Sequence, residues 1–223
     1  MRILAADTSS QHGSVCVVDG RQLLGEVRLA SSMQHSEHFF RAVEFLFQHI
    51  PLRLADIDLF VAARGPGSFT GLRVGLAAMN GFAAAHGKPA AGITTLEALA
   101  WKTGIEGALV VPTIDARRGE VYGAVYRRSG ESFIEQQSAV VLKPAEWFAS
   151  LPRQPLVFCG DAAIRHREEI EAQRGWTVHP VDLYIASTIA ELAGTPNRGP
   201  LEPLYVRKTD AEIARESIVG PST

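Results

Sequence analysis

The chain has 223 residues, 46% of them hydrophobic and 21% charged, with a formal net charge of −2 and an isoelectric point near 6.4. That balance is ordinary for a soluble globular protein and excludes a free-standing, strongly basic nucleic-acid binder. The length suits one large or two small domains with a substantial core.

Cys16 and Cys159 lie in apolar strand-like runs without metal or redox spacing, so they read as buried free thiols. The start, Met1 to Asp7, lacks the long apolar stretch of a signal peptide, and the expected location is the cytoplasm.

Ile3 to Ala6 reads as a buried strand ending at Asp7, followed by a polar turn and a return strand over Ser14 to Val18. Asp19-Gly20 is a hairpin signal, and Gln22 to Ala30 makes a third strand. A helix is expected from about Gln34 to His49. Phe39, Val43, Leu46 and Ile50 keep its helical period, while Phe40, Phe45 and Phe47 point elsewhere. It has more apolar surface than one face can hide.

Ile57 to Ala63 is another strand-length apolar run. It leads into Gly65-Pro66-Gly67-Ser68-Phe69-Thr70-Gly71-Leu72-Arg73-Val74-Gly75, the most distinctive stretch of the chain. The Gly-Pro-Gly turn places Ser68 at a helix N-cap, and the helix runs from Phe69 to Ala85 until His86-Gly87-Lys88-Pro89 stops it. It has no polar side. Gly71, Gly75 and Ala78 form a smooth strip, and Leu72 and Met79 belong to a bulkier one beside it. A helix apolar all round is buried on all sides or spans a membrane, and this one is short, glycine-containing and carries Arg73. Two readings remain: a helix held between its own domain and a partner, or the central helix of one large core.

Pro89 to Ile93 is a short strand, and Thr94 or Thr95 caps a helix through Trp101 with Glu97 in its first turn. The pattern then restarts. Ala108 to Ile114 is a strand ending at Asp115; Glu120 to Tyr126 and Phe133 to Val141 follow as strands, Pro144 to Leu151 as a helix, and Leu156 to Cys159 as a strand ending at Gly160-Asp161. A polar helix over Ala163 to Gln173, a helix over Val181 to Ala193 and a Pro-rich segment from Thr195 to Leu204 complete the reading.

Strand–Asp–turn–strand–turn–strand–helix therefore occurs twice, which is the plan of the actin, sugar-kinase and Hsp70 (ASKHA) superfamily. The expected architecture is α/β and two-lobed, with mixed sheets flanked by helices and lobes over residues 1–106 and 107–223. In that superfamily two aspartate turns face each other across an ATP cleft. Asp7, Ser9, Asp115, Arg118 and Gly160 are accordingly the candidate nucleotide-cleft residues. The glycines usual in such turns are missing, since the first reads Thr8-Ser9-Ser10 and the second Ala116-Arg117-Arg118.

Other chemistries fit less well. A Walker loop needs Gly-Lys-Ser/Thr, but the first lysine of the chain is Lys88. His35 and His38 flank Glu37 without the further ligand a catalytic zinc needs. Ser68 opens a helix after a strand, yet its surroundings are not Gly-x-Ser-x-Gly, and a helix cap accounts for it. The arginine pairs Arg117-Arg118 and Arg127-Arg128 could touch RNA within a larger assembly, or be solvated surface.

Ile3-Leu4-Ala5-Ala6-Asp7-Thr8-Ser9, His35-Ser36-Glu37, the Gly65-to-Gly75 stretch and Asp115-Ala116-Arg117-Arg118-Gly119-Glu120-Val121-Tyr122 closely resemble the bacterial TsaB (YeaZ) family, and Pro203-Leu204-Tyr205-Val206-Arg207 is similar to its C-terminal segment. The resemblance implies a non-catalytic subunit of the machinery that places threonylcarbamoyl on the adenosine beside the anticodon in tRNA. It implies a TsaD-like catalytic partner, a TsaE-like ATPase joining the pair, a homodimer when alone, tRNA contact only within the complex, no membrane and no resident cofactor, with nucleotide at most at a complex interface. TsaD carries a His-x-Glu-x-His metal site; the matching stretch here is Thr95-Leu96-Glu97-Ala98-Leu99, with threonine and leucine in place of the histidines. The partner contact is expected at Phe40, Val43, Phe47, Gly71, Leu72, Gly75, Ala78, Met79 and Phe82. The alternative is a small ATP-dependent phosphotransferase or ATPase of the same superfamily using Asp7 and Asp115.

Overall fold

A computed structural model describes residues 1–30, 35–130, 132–194 and 201–207. Expectations about Gln34, the side chain of His35, residues 195–200 and the segment Glu212 to Thr223 lie outside the described residues.

The first sheet contains β1 (Arg2–Asp7), β2 (His12–Asp19), β3 (Gln22–Ala30), β4 (Leu59–Ala63) and β5 (Ala90–Ile93), in the order β3-β2-β1-β4-β5. β1, β2 and β3 form an antiparallel meander, with Gly20 left-handed in the hairpin between β2 and β3, while β4 and β5 extend the sheet from β1 in parallel. The second sheet contains β6 (Leu109–Asp115), β7 (Val121–Ser129), β8 (Ser132–Leu142), β9 (Leu156–Cys159) and β10 (Trp176–Val178), ordered β10-β9-β6-β7-β8. Read from the other edge, it repeats the first: a meander on one side of the founding strand and two parallel strands on the other. This is the duplicated ASKHA architecture.

Each founding strand is buried on both faces, so its side chains alternate between two cores. Leu4 and Ala6 join Phe60 and Ala62 under α1 (His35–His49) and α2 (Phe69–His86), whereas Ile3 and Ala5 face a core shared with the second sheet. That shared core holds α3 (Thr95–Lys102) and α7 (Ala186–Ala193). The far side of the second sheet is covered by α4 (Pro144–Ser150), α5 (Asp161–Arg165) and α6 (Arg167–Glu171).

Several expectations shift. The polar helix over Ala163–Gln173 is two short helices that break at His166, and the helix expected from Val181 begins only at Ala186. The Asp182 carboxylate instead accepts from the Tyr184 backbone and makes a turn there. More consequentially, α7 packs on β1, β2, β4 and β5, the first sheet, although it lies far down the second half of the chain. The sheets divide near residue 106, but the chain crosses back.

Helix α2 is bounded as its sequence predicts. The Ser68 hydroxyl accepts from Gly71 N at 3.2 Å, and Gly87 takes the left-handed conformation at the other end. Its orientation, however, reverses the expected one. Gly71 and Gly75 lie against the turn after β1, and a Cβ on either would come within 2.0 Å of Thr8 O or 2.4 Å of Thr8 Oγ1. Leu72, Ala78 and Met79, with Val43 of α1, are core residues. The smooth strip exists to let the helix approach its own sheet, so Val43, Gly71, Leu72, Gly75, Ala78 and Met79 have no surface to offer a partner. Of the expected contact residues, Phe40 is exposed, and Phe47 and Phe82 are half-buried.

Candidate functional site

The carboxyl ends of β1 and β6 deliver Asp7 and Asp115 to opposite walls of one cleft of about 1040 Å3 between the sheets. The first wall is the turn after β1 together with the N-terminus of α2; the second is the turn after β6 together with α5. A strap over Leu201–Arg207 runs past the cleft from one wall to the other. Leu204 N donates to Arg64 O at 2.7 Å, Tyr205 packs on Phe69 with ring centroids 5.6 Å apart, and Arg207 pairs with Glu120 beside Tyr122.

On the first wall, Asp7 Oδ1 accepts from Ser9 N at 2.8 Å, a side-chain-to-backbone turn typical of aspartate. Asp7 is 1% exposed, Ser9 3% and Thr95, at the start of α3, also 3%. Asp7 Oδ2, Ser9 Oγ and Thr95 Oγ1 are buried without a hydrogen-bond partner among the described residues. Buried polar atoms are almost always paired, so three orphans on one cleft mark a place built for something polar. Burial pushes the Asp7 carboxyl up to about 6, against the opposing pull of hydrogen bonds from Ser9 and of nearby His12 and Lys102.

On the second wall, Asp115 is committed. Its Oδ1 accepts from Arg117 N at 2.9 Å and its Oδ2 lies 3.3 Å from Arg165 Nη1. Asp161 is committed too, since its Oδ1 accepts from Asp115 N at 3.0 Å and Ala162 N at 2.8 Å. The turn between them is unusual. Arg117 and Arg118 have φ of 62° and 56°, in the left-handed region that L-residues other than Asn and Asp seldom enter, and Gly119 follows at 73°. The turn keeps a conformation suited to glycine while its two arginines help line the cleft.

Of the expected cleft residues, Asp7, Ser9, Asp115 and Arg118 do come together. Gly160 does not line the cleft. It is left-handed and packed under β6, where a Cβ would lie 2.4 Å from Thr113 O, and its neighbour Asp161 reaches the cleft instead. Thr95, Arg165 and the strap were not among the expected cleft residues; only the spacing of α3 from the central helix hints at Thr95.

The superfamily plan implies a nucleotide with a divalent cation between the aspartate turns. The residues present do not fit that ion. Asp115 already faces a guanidinium, arginines occupy the position of phosphate-loop glycines, and no group of three His, Cys, Asp or Glu among the described residues could hold a metal. Thr95 and Leu99 likewise offer nothing in place of a histidine pair.

The second feature is a face. On α2, Ala77, Gly81, Ala84 and Ala85 are exposed on the side away from the sheet, and a Cβ on Gly81 would meet nothing within 4 Å. Beside them Phe40 of α1, 49% exposed, stands edge-on to Phe82 with centroids 6.2 Å apart. The face combines small residues with an exposed aromatic ring. Among the described residues, no helix is long and apolar enough to cross a membrane.

Residues 26–177 match the family model described as TsaD, tRNA N6-adenosine threonylcarbamoyltransferase. A curated relative from Bacillus subtilis, named tRNA threonylcarbamoyladenosine biosynthesis protein TsaB, is 30% identical over 77% of this chain and 76% of its own length. Among solved structures, YeaZ from Pseudomonas aeruginosa superposes with a TM-score of 0.77 at 25% identity, covering 92% of this chain and 99% of that one. The ethanolamine utilization protein EutJ from Carboxydothermus hydrogenoformans, with a TM-score of 0.54 at 12% identity over 85% of this chain and 89% of its own, shares the fold alone. The sequence motifs, the duplicated fold and these likenesses agree: the chain belongs to the TsaB (YeaZ) family.

Proposed function

We propose that this chain is an accessory subunit in the formation of threonylcarbamoyladenosine in tRNA. In this reading it acts in the cytoplasm and docks a TsaD-like catalytic subunit through the exposed face of α1 and α2, with a TsaE-like ATPase joining the pair. The observation that carries the reading is the outward face of Phe40, Ala77, Gly81 and Ala84. Small residues let a partner backbone approach closely, and an exposed aromatic ring beside them supplies an anchor of the kind that dominates interfaces. The name of the Bacillus relative supports the process. A non-catalytic role is supported by the committed aspartates of the cleft and by the threonine and leucine at the positions where TsaD has histidines.

Reconstitution tests it. The TsaD-like and TsaE-like subunits from the same organism, given substrate tRNA, ATP and the threonylcarbamoyl donor, should modify the tRNA only when this chain is added. Full modification in its absence would overturn the proposal.

A further inference from the structure

The strap over Leu201–Arg207 is held firmly at one end and loosely at the other. At its root, Leu201 is 8% exposed and belongs to the core under α1 and α2, and Asn80 Nδ2 donates to its carbonyl at 3.3 Å. In the middle, Leu204 N donates to Arg64 O, the strap's only backbone–backbone hydrogen bond among the described residues. Beyond Leu204 side chains alone hold it. Tyr205 and Phe69 pack together yet both stay exposed, Val206 is half-buried against the shared core, and Arg207 pairs with Glu120 where both side chains still reach solvent. Such partly exposed pairs are individually weak, and a segment with so few backbone bonds opens locally while the strands beside it stay closed.

The catch at the far end is the firmer party. Glu120 N donates to Arg117 O and Glu120 O accepts from Ala116 N, each at 3.0 Å, so the turn itself fixes that residue. Beneath the strap lies the start of α3. Arg64 O takes the Leu204 N–H and the next carbonyl, Gly65 O, takes the Thr95 N–H at 2.9 Å, so strap and helix meet on the same two residues. Thr95 and Leu99 of α3 line the cleft together with Leu204 and Val206 of the strap.

We propose that the strap is a latch on the cleft. Its root stays in the first core while Leu204–Arg207 swings away and uncovers Thr95, and the Arg207–Glu120 pair and the Leu204 hydrogen bond hold it shut. That part of the cleft wall is therefore a gate, and access to the cleft from the α3 side is set by how often the catch at Glu120 lets go. The latch belongs to the chain alone and stands apart from docking at α1 and α2.

Thiol labelling under native conditions tests this. Thr95→Cys places a thiol under the strap without touching the helix cap, which Thr94 provides, and the buried Cys16 and Cys159 report global unfolding in the same sample. With iodoacetamide, the thiol at position 95 should react far more slowly than an exposed thiol but well before the two native ones. Adding Glu120→Gln or Tyr205→Ala should speed it by about fivefold with Cys16 and Cys159 unchanged. Hydrogen exchange in the chain without Thr95→Cys reads the same opening independently. Glu120→Gln should speed exchange of the Leu204 amide by a similar factor and leave the amides of Leu4 and Ala5 as they were. A thiol at position 95 that reacts at the exposed rate, or only together with the native ones, would overturn the proposal. So would a rate at Leu204 that Glu120→Gln leaves unchanged.

Discussion

The Thr8 hydroxyl donates to the carbonyl of Gly71 across 2.7 Å, tying the turn after the first strand to the first turn of α2. That bond forms only because Gly71 and Gly75 have no side chains, and it fixes which face of α2 looks inward. Gly71→Ala and Gly75→Ala should each lower stability by about 3 kcal/mol or more, since the new methyl would collide with Thr8 backbone or hydroxyl. Gly81→Ala, on the same helix but in open space, should raise it by about 0.5–1 kcal/mol through backbone entropy alone. Urea midpoints of the three variants check the contrast. Equal effects at Gly75 and Gly81 would mean that the helix is rotated from the orientation described.

The left-handed arginines make a separate prediction. An L-residue held at positive φ costs about 1–2 kcal/mol, part of which a glycine there returns through the freedom of its unfolded chain. Arg117→Gly should therefore stabilise the fold by about 0.5–1 kcal/mol in chemical denaturation. A residue whose replacement improves folding is kept for another reason.

Asp7 gives the fold a distinctive pH dependence. Its carboxyl is raised from 3.8 to about 6 by burial, so the folded chain favours the protonated form more than the unfolded chain does. Stability from this group is fully present below about pH 4 and is lost as pH rises through about 6, a change of about 3 kcal/mol. Asp7→Asn removes it. The stability of Asp7→Asn relative to wild type should climb by about that amount between pH 4 and pH 7 and stay level above. A flat difference across that range would mean that Asp7 is not buried as described.

Much of the fold was legible in the sequence because local signals agreed with the tertiary ones. Asp19-Gly20 turned the hairpin between β2 and β3, Ser68 and Gly87 bounded α2, and the strand–aspartate–turn pattern recurred at Asp7 and Asp115 where the two sheets begin. The direction of α2 was not legible. A helix apolar all round carries no moment to orient it, and the same small residues serve close approach to a sheet or to a partner. Here Gly71 and Gly75 serve the sheet, and Ala77 and Gly81 are exposed on the other side. The return of α7 to the first sheet and the strap from Leu201 to Arg207 are long-range contacts of short or irregular segments, for which periodicity holds no record. Thr95 was hidden because a helix-capping threonine and a cleft-lining one look alike in sequence.

The central claim is that the outward face of α1 and α2 docks a TsaD-like subunit. Its most direct measurement is molar mass by light scattering of this chain mixed with that subunit, for wild type and for Ala77→Arg, each first shown to unfold cooperatively. Ala77 is exposed, so an arginine there should leave the fold intact and place a charge in the contact. The account predicts a heterodimer for wild type and two separate components for Ala77→Arg. A heterodimer that survives the substitution would place the contact on another face, and a wild-type chain that never associates would contradict the account outright.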